Sequence, residues 1–314
     1  MNIHKYFLYT PNIASNSLNI FIILFLFGCG NSSQEKNSSR SELKHHGSGS
    51  IYVNGHINQL DDQNFITDPY KFYGPGIYGG TGKKFLTISE MPEGMQYRYY
   101  ELYAARTRDF TPLDKEIESF SIEKLSIPEA VAKLSNEHNV LCGIEAINWK
   151  NDFSDSKPFY PEKFSISFEK ESPRSILDKL VLLDPNFAWF EENGFANIVM
   201  LKALENSNYP FNISIKNYEI KEMPYTYLFM GYGSLRSAPE IKGQLPFGGS
   251  LRWEPEFAPK ISIKASDSTA RQILNAVGKN IGMSWSAVLC SGPMPWISFQ
   301  MLPKITARPC PPNQ

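Results

Sequence analysis

The chain has 314 residues, of which 42% are hydrophobic and 20% charged, and its 31 basic and 32 acidic side chains leave a net charge of −1. This length and apolar content allow one large core or two ordinary ones, which excludes an intrinsically disordered polypeptide. The balanced charge provides no overall field that would attract polyanions, so we expect no nucleic-acid partner.

The N-terminal segment contains an apolar run at residues 18–27 (LNIFIILFLF). A membrane-spanning helix needs roughly 20 apolar residues, so this shorter run fits the apolar part of a secretory signal. The run ends at Leu26-Phe27-Gly28-Cys29, a sequence that resembles the bacterial lipobox.

The lipobox resemblance gives the chain a location. It implies that residues 1–28 are a lipoprotein signal peptide and that the thiol of Cys29 carries the lipid. Because Gly30 rather than Asp follows the cysteine, it also implies a lipid anchor in the outer membrane, with the chain facing the periplasm. The alternative is an uncleaved anchor helix that ends at Cys29.

Residues 29–50 are polar and rich in serine, with Leu43 as their single large apolar residue. This segment cannot bury enough apolar surface to fold, so we predict a lipidated flexible tether with a reach on the order of 25 Å. His45 and His46 have no further ligands nearby, so we expect no metal there. Residues 51–118 contain aromatic segments broken by Gly and Pro, which predicts an irregular or β-rich N-terminal region.

The second half of the chain has clear element patterns. Ser126 precedes a first helix and Ser172 a second, each as the N-cap before an early proline. Residues 140–147 and 164–168 predict strands, and residues 187–201 predict a hairpin with a glycine in its turn. The predicted inward positions of the helices are Ile127, Ala130, Val131, Leu134, Ile176, Leu177, Leu180 and Leu183.

Part of this pattern occurs twice. Residues 164–180 (FSISFEKESPRSILDKL) match residues 261–277 (ISIKASDSTARQILNAV), and both copies continue to a tryptophan-bearing strand and a last strand. Two copies of one strand–helix–hairpin unit explain this similarity. Arg174 matches Arg271, and we expect both to be solvated or paired at the surface. Trp189 and Trp285 are expected to be core or hairpin aromatics.

The order of helix, strand, loop, strand, capped helix and hairpin resembles the small α/β modules at the N-terminus of secretins and TonB-dependent transporters. The resemblance implies an α+β fold, with one such module at residues 119–204, a second and divergent module at 205–302, and a C-terminal tail at 303–314. It also implies an envelope protein-interaction module without catalytic residues. No secretin pore domain or transporter barrel accompanies it, so those activities are not implied.

Nucleotide binding has one weak motif in its favour. Residues 74–79 (GPGIYG) match G-x-G-x-x-G, but no apolar strand precedes them and no helix pattern follows. Lys84 stands where a P-loop needs Ser or Thr to bind magnesium. We therefore expect no nucleotide and no other cofactor.

Hydrolase chemistry is supported by scattered residues only. The chain has no G-x-S-x-G, and its candidate bases are His56, near Asp61 and Asp62, and His138, which is better explained by a helix C-terminus. Candidate acid/base carboxylates are Glu169, Glu171, Glu191 and Glu192.

Three cysteines remain after Cys29, without a C-x-x-C motif or metal-ligand spacing. In an oxidising compartment we predict a disulfide between Cys290 and Cys310, which flank the last strand. Cys142 lies in an apolar strand and is predicted to be a buried thiol.

Together these patterns predict a lipid-anchored envelope protein that is not an enzyme and that binds another envelope protein through a sheet edge or a helix face. One alternative is a binder of glycan or peptidoglycan that uses exposed tyrosines as stacking surfaces, namely Tyr97, Tyr99, Tyr100 and Tyr103. Another is a hydrolase whose site is not visible in the sequence.

Overall fold

The computed structural model describes residues 50–56, 108–147, 161–228, 235–242, 260–290, 296–302 and 304–307. This part of the chain has a mixed α and β fold that is rich in strands, which confirms the predicted fold class in its broad sense. Its strands are β1 (Ile51–His56), β2 (Ile117–Leu125), β3 (Cys142–Ala146), β4 (Phe164–Glu171), β5 (Phe187–Glu192), β6 (Phe195–Met200), β7 (Ser214–Pro224), β8 (Lys260–Thr269), β9 (Ser284–Cys290) and β10 (Trp296–Leu302). Its helices are α1 (Ile127–His138), α2 (Pro173–Leu183), α3 (Leu201–Leu204) and α4 (Ala270–Ile281).

The helices begin where the capping residues predict. Ser126 is the N-cap of α1, where the carboxylate of Glu129 accepts hydrogen bonds from the Ser126 N–H and hydroxyl, both at 2.9 Å. Ser172 caps α2 by accepting the Ser175 N–H at 3.3 Å, and Thr269 caps α4 by accepting the Gln272 N–H at 3.2 Å. Side-chain oxygens thus satisfy backbone donors that the first helical turn leaves unpaired.

The predicted hairpin is present, with a tighter turn and an earlier end. Strands β5 and β6 are joined by Asn193 and Gly194, whose φ angles of 56° and 84° suit a two-residue hairpin turn. The prediction carried the second strand to Leu201, but the strand ends at Met200 and Leu201 begins the short helix α3.

The described strands form three sheets. Strands β2 and β4 make an antiparallel pair, and β8 lies between β1 and β7 in an antiparallel three-stranded sheet. The third sheet has the order β10-β9-β3-β6-β5. In this sheet β3 pairs in parallel with both β6 and β9, so the sheet crosses the predicted boundary between residues 119–204 and 205–302.

The internal repeat extends one strand further than the sequence match. We call β2, β4, α2, β5 and β6 the first repeat, and β7, β8, α4, β9 and β10 the second repeat. The sequence match did not show that β2 and β7 are equivalent strands of the two repeats, although both strands bury residues at the same spacing. The buried side chains are Ile117, Phe120 and Ile122 in β2, and Ile215, Tyr218 and Ile220 in β7.

Both repeats contain the same β-bulge. The pairing register shifts beside Lys124 in β2 and beside Glu222 in β7, and these residues have φ angles of 50° and 51°. The bulge N–H is bonded to a serine hydroxyl of the partner strand in each case, Ser165 for Lys124 and Ser262 for Glu222, both at 3.0 Å. Because a bulge disrupts regular strand alternation, it explains why the β2–β7 match is hard to see in the sequence.

Candidate functional site

The two repeats differ at one strand edge. In the second repeat, β8 is covered on one side by β7 and on the other by β1. In the first repeat, the matching strand β4 pairs with β2, and its other edge has no strand partner among the described residues. In the part of the chain that the structure describes, no strand takes beside β4 the position that β1 takes beside β8.

The uncovered edge leaves apolar side chains partly exposed. In the second repeat, Ile261 and Ile263 are 0% and 1% exposed, and both have β1 residues opposite them. Their counterparts in β4 are Phe164 and Ile166, which pack against the core but are only partly buried. We attribute this difference in burial to the presence of β1, since the β2–β4 and β7–β8 pairs share their register.

The C-terminal end of α2 extends this apolar region. In the second repeat, Nδ2 of Asn280 lies 3.4 Å from the carbonyl oxygen of Val53, which places position 280 beside β1. The matching residue in α2 is Leu183, which is partly buried, and the adjacent Leu182 is 72% exposed. We call the following four residues the β4 surface: Phe164, Ile166, Leu182 and Leu183.

The backbone of β4 presents hydrogen-bonding groups at the same edge. In the second repeat, the Ser266 N–H donates to the carbonyl oxygen of Ser50 at 3.0 Å, just beyond the β1 register. Successive N–H groups of a strand point to opposite edges, so Lys264 also directs its N–H towards β1. By the matching register, Ser167 and Glu169 direct theirs away from β2, and both residues are exposed.

A second candidate is a buried polar cluster where the two repeats meet. Arg271, at the start of α4, donates from Nε and Nη2 to the carboxylate of Glu145 on β3, and Nη2 also donates to Oδ1 of Asn212 at 3.0 Å. The guanidinium carbon lies 5.5 Å from the ring centroid of Phe190. The side chains of the ion pair are only 7% and 1% exposed.

The protonation states in this cluster follow from burial and from the ion pair. Burial alone would lower the pKa of Arg271, but the charge of Glu145 and its hydrogen bond more than offset this, so the pKa is raised. Burial raises the pKa of Tyr209 well above its usual value, and the nearby Glu145 charge adds to the effect. The cluster thus holds an ion pair beside a neutral phenol.

Neighbouring amides continue the cluster into the shared sheet. Trp285 donates from Nε1 to Oδ1 of Asn275 at 2.8 Å, and Nδ2 of Asn275 donates to Asn197 at 3.0 Å and to Glu192 at 3.2 Å. A Cβ atom at Gly143 would lie 2.7 Å from the Trp285 ring, so the strand and the indole approach this closely only with glycine. The contacts join residues of both repeats, and we assign this cluster to holding the repeats together.

The buried position of Arg271 contradicts the expectation that it lies at the surface. Glu145 provides a buried partner, and a buried charge requires such a partner. The signal was available in the strand LCGIEAI, where Glu145 is the one charged residue in an apolar run. For Arg174 the surface pairing is confirmed, because it bonds to Asp114 and Glu191, and its hydrogen bond lowers the pKa of Asp114.

The predicted aromatic and histidine positions agree with the structure. Trp285 is 0% exposed and belongs to the core. Trp189 is a partly buried hairpin residue whose Nε1 donates to Asp178 at 2.8 Å. His138 lies at the end of α1, with its ring 5.8 Å from the Phe120 ring in an edge-on arrangement.

The described residues test one of the cysteine predictions and leave the others untested. Cys142 is fully buried, as predicted, and burial raises the pKa of its thiol to about 12. Cys29 and Cys310 lie outside the described residues, and Cys290 is described only through its backbone at the end of β9. Lipidation of Cys29 and the Cys290–Cys310 disulfide therefore stay predictions.

Most of the candidate acid/base carboxylates have structural partners. Glu171 accepts hydrogen bonds from Lys179 and Ser175, which lower its pKa, whereas Glu169 is exposed. Glu191 bonds Arg174, and Glu192 accepts from α4 amides. Within the residues that the structure describes, no group of three or more His, Cys, Asp or Glu residues is arranged to hold a metal ion.

Several sequence predictions lie outside the described residues. They include the glycine-rich loop at 74–79 with Lys84, the histidine pair at 45–46, and the stacking tyrosines of the glycan alternative, Tyr97, Tyr99, Tyr100 and Tyr103. Asp61 and Asp62 also lie outside, and His56 is described only through its backbone in β1.

The sequence analysis missed the β4 surface, although one signal for it exists. The helix sequence SILDKLVLL ends in four consecutive apolar residues, more than one buried helix face requires. Leu180 and Val181 are buried, which leaves Leu182 and Leu183 outside or at the margin of the core.

Among the described helices, none is both long enough and apolar enough to cross a membrane. No protein-family model matches the chain, and the search of curated proteins found no match.

Proposed function

We propose that this chain is a lipid-anchored envelope protein that acts by binding another envelope protein through the β4 surface. The observation that carries the proposal is the contrast between Ile261 and Ile263, which β1 covers, and Phe164 and Ile166, which stay partly exposed. Exposed apolar side chains beside an unpaired strand edge are a known basis for protein recognition. The proposed anchor is lipid on Cys29, in the outer membrane and facing the periplasm.

The same proposal includes the finer fold assignment. Residues 119–204 contain β2, α1, β3, β4, α2, β5 and β6 in that order, an order similar to the short N-terminal modules of secretins and TonB-dependent transporters. The second repeat is its divergent copy, at residues 205–302. Such modules act by binding, which agrees with a function centred on the β4 surface.

The position of β1 supports the proposal that the β4 surface is available to a partner. If Cys29 is anchored, the tether of residues 29–50 leads directly into β1, which begins at Ile51. Strand β1 pairs with β8, so the first described strand after the tether occupies the edge of the second repeat. The corresponding edge of the first repeat is left to a binding partner.

Site-specific photocrosslinking in intact cells tests the binding surface. A photoreactive phenylalanine analogue replaces Leu182 in the full chain, and the matched control carries it at Tyr52, which is 63% exposed on β1. We expect irradiation to join position 182, and not position 52, to one other envelope protein. Equal adducts at both positions, no protein adduct at 182, or an adduct between two copies of this chain would contradict the proposal, and an adduct with peptidoglycan would favour the glycan alternative.

The anchor is tested separately with Cys29→Ser and membrane fractionation. Loss of the thiol removes the acceptor of the lipid, so we expect the variant to leave the outer-membrane fraction. A variant that stays fully membrane-bound would instead support an uncleaved anchor helix.

A further inference from the structure

We propose that the partner binds by adding an extended strand to the edge of β4 that has no strand partner among the described residues, antiparallel to β4, in the position that β1 takes on β8. This inference rests on the proposed function and specifies the chemistry of the partner: a segment with β-branched apolar residues at alternate positions and a small residue two positions further. The two repeats share their register, but β8 is covered by β1, whereas β4 has no such strand among the described residues. This difference supports the proposal.

Strand β1 supplies the template for the partner sequence. Its residues Ile51, Val53 and Gly55 lie opposite Ala265, Ile263 and Ile261. Transferred to the first repeat, the same three positions lie opposite Phe168, Ile166 and Phe164. A small residue opposite Phe164 leaves room for a ring that is larger than Ile261. Phe168, in the place of Ala265, is 4% exposed and stacks on Phe120.

The register of β1 shows which backbone groups of the added strand would face β4. Tyr52 pairs with Lys264, and its N–H and C=O face β8, whereas the carbonyl oxygen of Val53 faces Asn280 of α4. Transferred to the first repeat, the residue in the place of Tyr52 pairs with Ser167 of β4. Its neighbour in the place of Val53 directs its carbonyl towards the position of Leu183, so this carbonyl lacks the amide donor that Asn280 supplies in the second repeat.

The added strand would also cover the side chains that are now partly exposed. In the second repeat, the row under β1 is almost completely buried, at 0% for Ile261, 1% for Ile263 and 3% for Ala265. We expect the partner strand to bring Ile166 and Phe164 to similar burial. Main-chain hydrogen bonds then provide affinity, and the alternate apolar positions provide specificity.

The test uses a fluorescein-labelled peptide of sequence SIYVNGH, the chain's own residues 50–56, added to the full chain in detergent. We expect saturable binding by fluorescence anisotropy. Ser167→Pro removes an outward N–H while leaving the ladder between β2 and β4 intact, because proline is tolerated on the solvent side of an edge strand. The affinity is expected to fall at least tenfold, whereas the matched Ser167→Ala variant keeps the N–H and binds the peptide as the unaltered chain does.

A peptide-side comparison keeps the test valid if Ser167→Pro does not fold, which circular dichroism would reveal. Methylation of the tyrosine amide nitrogen removes a donor that faces β4, and methylation of the valine amide nitrogen modifies the opposite edge. We expect the first peptide to lose at least tenfold in affinity and the second to keep its affinity within about threefold.

Three results would overturn strand addition: no saturable binding of the unmodified peptide, equal affinity of the two methylated peptides, or the same loss of affinity in Ser167→Ala as in Ser167→Pro. These failures are separable from that of the proposed function. A protein adduct at position 182 combined with any of them would mean that the β4 surface binds its partner without an added strand.

Discussion

The two repeats share a strand pair, a bulge and a capped helix, yet they differ in what covers them. Strand β8 is an inner strand because β1 lies beside it, whereas β4 is an edge strand within the described part of the chain. The same framework therefore buries Ile263 completely and leaves Ile166 partly exposed. The comparison shows that β1 completes the second repeat, whereas no strand among the described residues takes that position in the first.

The matching arginines show the same divergence. Arg271 lies 6% exposed at the junction of the repeats and pairs with Glu145, while Arg174 pairs with Asp114 and Glu191 in partly exposed surroundings. The shared five-stranded sheet encloses Arg271 but not Arg174. A residue conserved between the repeats has thus acquired two different energetic roles.

The largest effect in this comparison is expected from breaking the buried ion pair. Glu145→Ala leaves Arg271 charged and without its main partner, which should cost about 3–5 kcal/mol of unfolding free energy. Arg174→Ala, which breaks the ion pairs of the matching arginine in the first repeat, should cost about 1 kcal/mol or less. Urea denaturation measures both, and equal losses would contradict the assignment of Arg271 to the joint between the repeats.

The covered and uncovered rows are compared by truncating matching isoleucines. Ile263→Ala should cost about 2–5 kcal/mol, because the side chain is fully buried under β1. Ile166→Ala should cost about 1 kcal/mol, since part of its surface is already exposed in the folded chain. Denaturation of the purified chain checks the difference, and a cost at Ile166 equal to that at Ile263 would mean that the β4 row is covered in solution.

Strand β3, which joins the two repeats, contains a thiol that makes stability depend on alkaline pH. Burial raises the pKa of Cys142 from 9.0 to about 12, so the stabilisation is complete below pH 9 and is lost as the pH rises towards 12. We expect the unfolding free energy to fall by about 1.4 kcal/mol more per pH unit above 9 than it does in Cys142→Ala. Parallel slopes for the two chains between pH 8 and 10.5 would show that the thiol is accessible.

Both repeats have a helix with a side-chain N-cap, so removal of the cap should lower the free energy of unfolding equally in both. Ser172→Ala and Thr269→Ala each remove an N-cap acceptor, and each should cost about 1 kcal/mol. Thermal unfolding followed by circular dichroism measures the two changes. A loss in one repeat that is several times the loss in the other would show that the helices are not equivalent.

The local elements were predictable from the sequence because their signals are local. Ser126 and Ser172 precede prolines and apolar helix faces, and the alternation of FSISF is regular, so the helix starts and β4 follow directly. The first half of the repeat was harder to see, since the bulges at Lys124 and Glu222 interrupt the alternation of β2 and β7.

The candidate site was not predictable in the same way because it depends on long-range pairing. Nothing near Ile51 indicates that β1 will pair with β8, and nothing near Glu145 indicates that β3 will pair with β9 and bring Arg271 close. The general expectation of a sheet edge came from the family resemblance. Its location on β4 follows only from a comparison of the two repeats in the structure.

Hydrogen exchange at two matching backbone amides tests the central claim most directly. In the purified full chain in detergent, without a partner, the Lys264 N–H is bonded to β1 and should exchange slowly, whereas the Ser167 N–H should exchange at least tenfold faster after correction for intrinsic rates. NMR exchange measurements resolve both amides. Faster exchange at Ser167 would support an unoccupied β4 edge, and equal protection of the two amides would show that the β4 edge is already occupied.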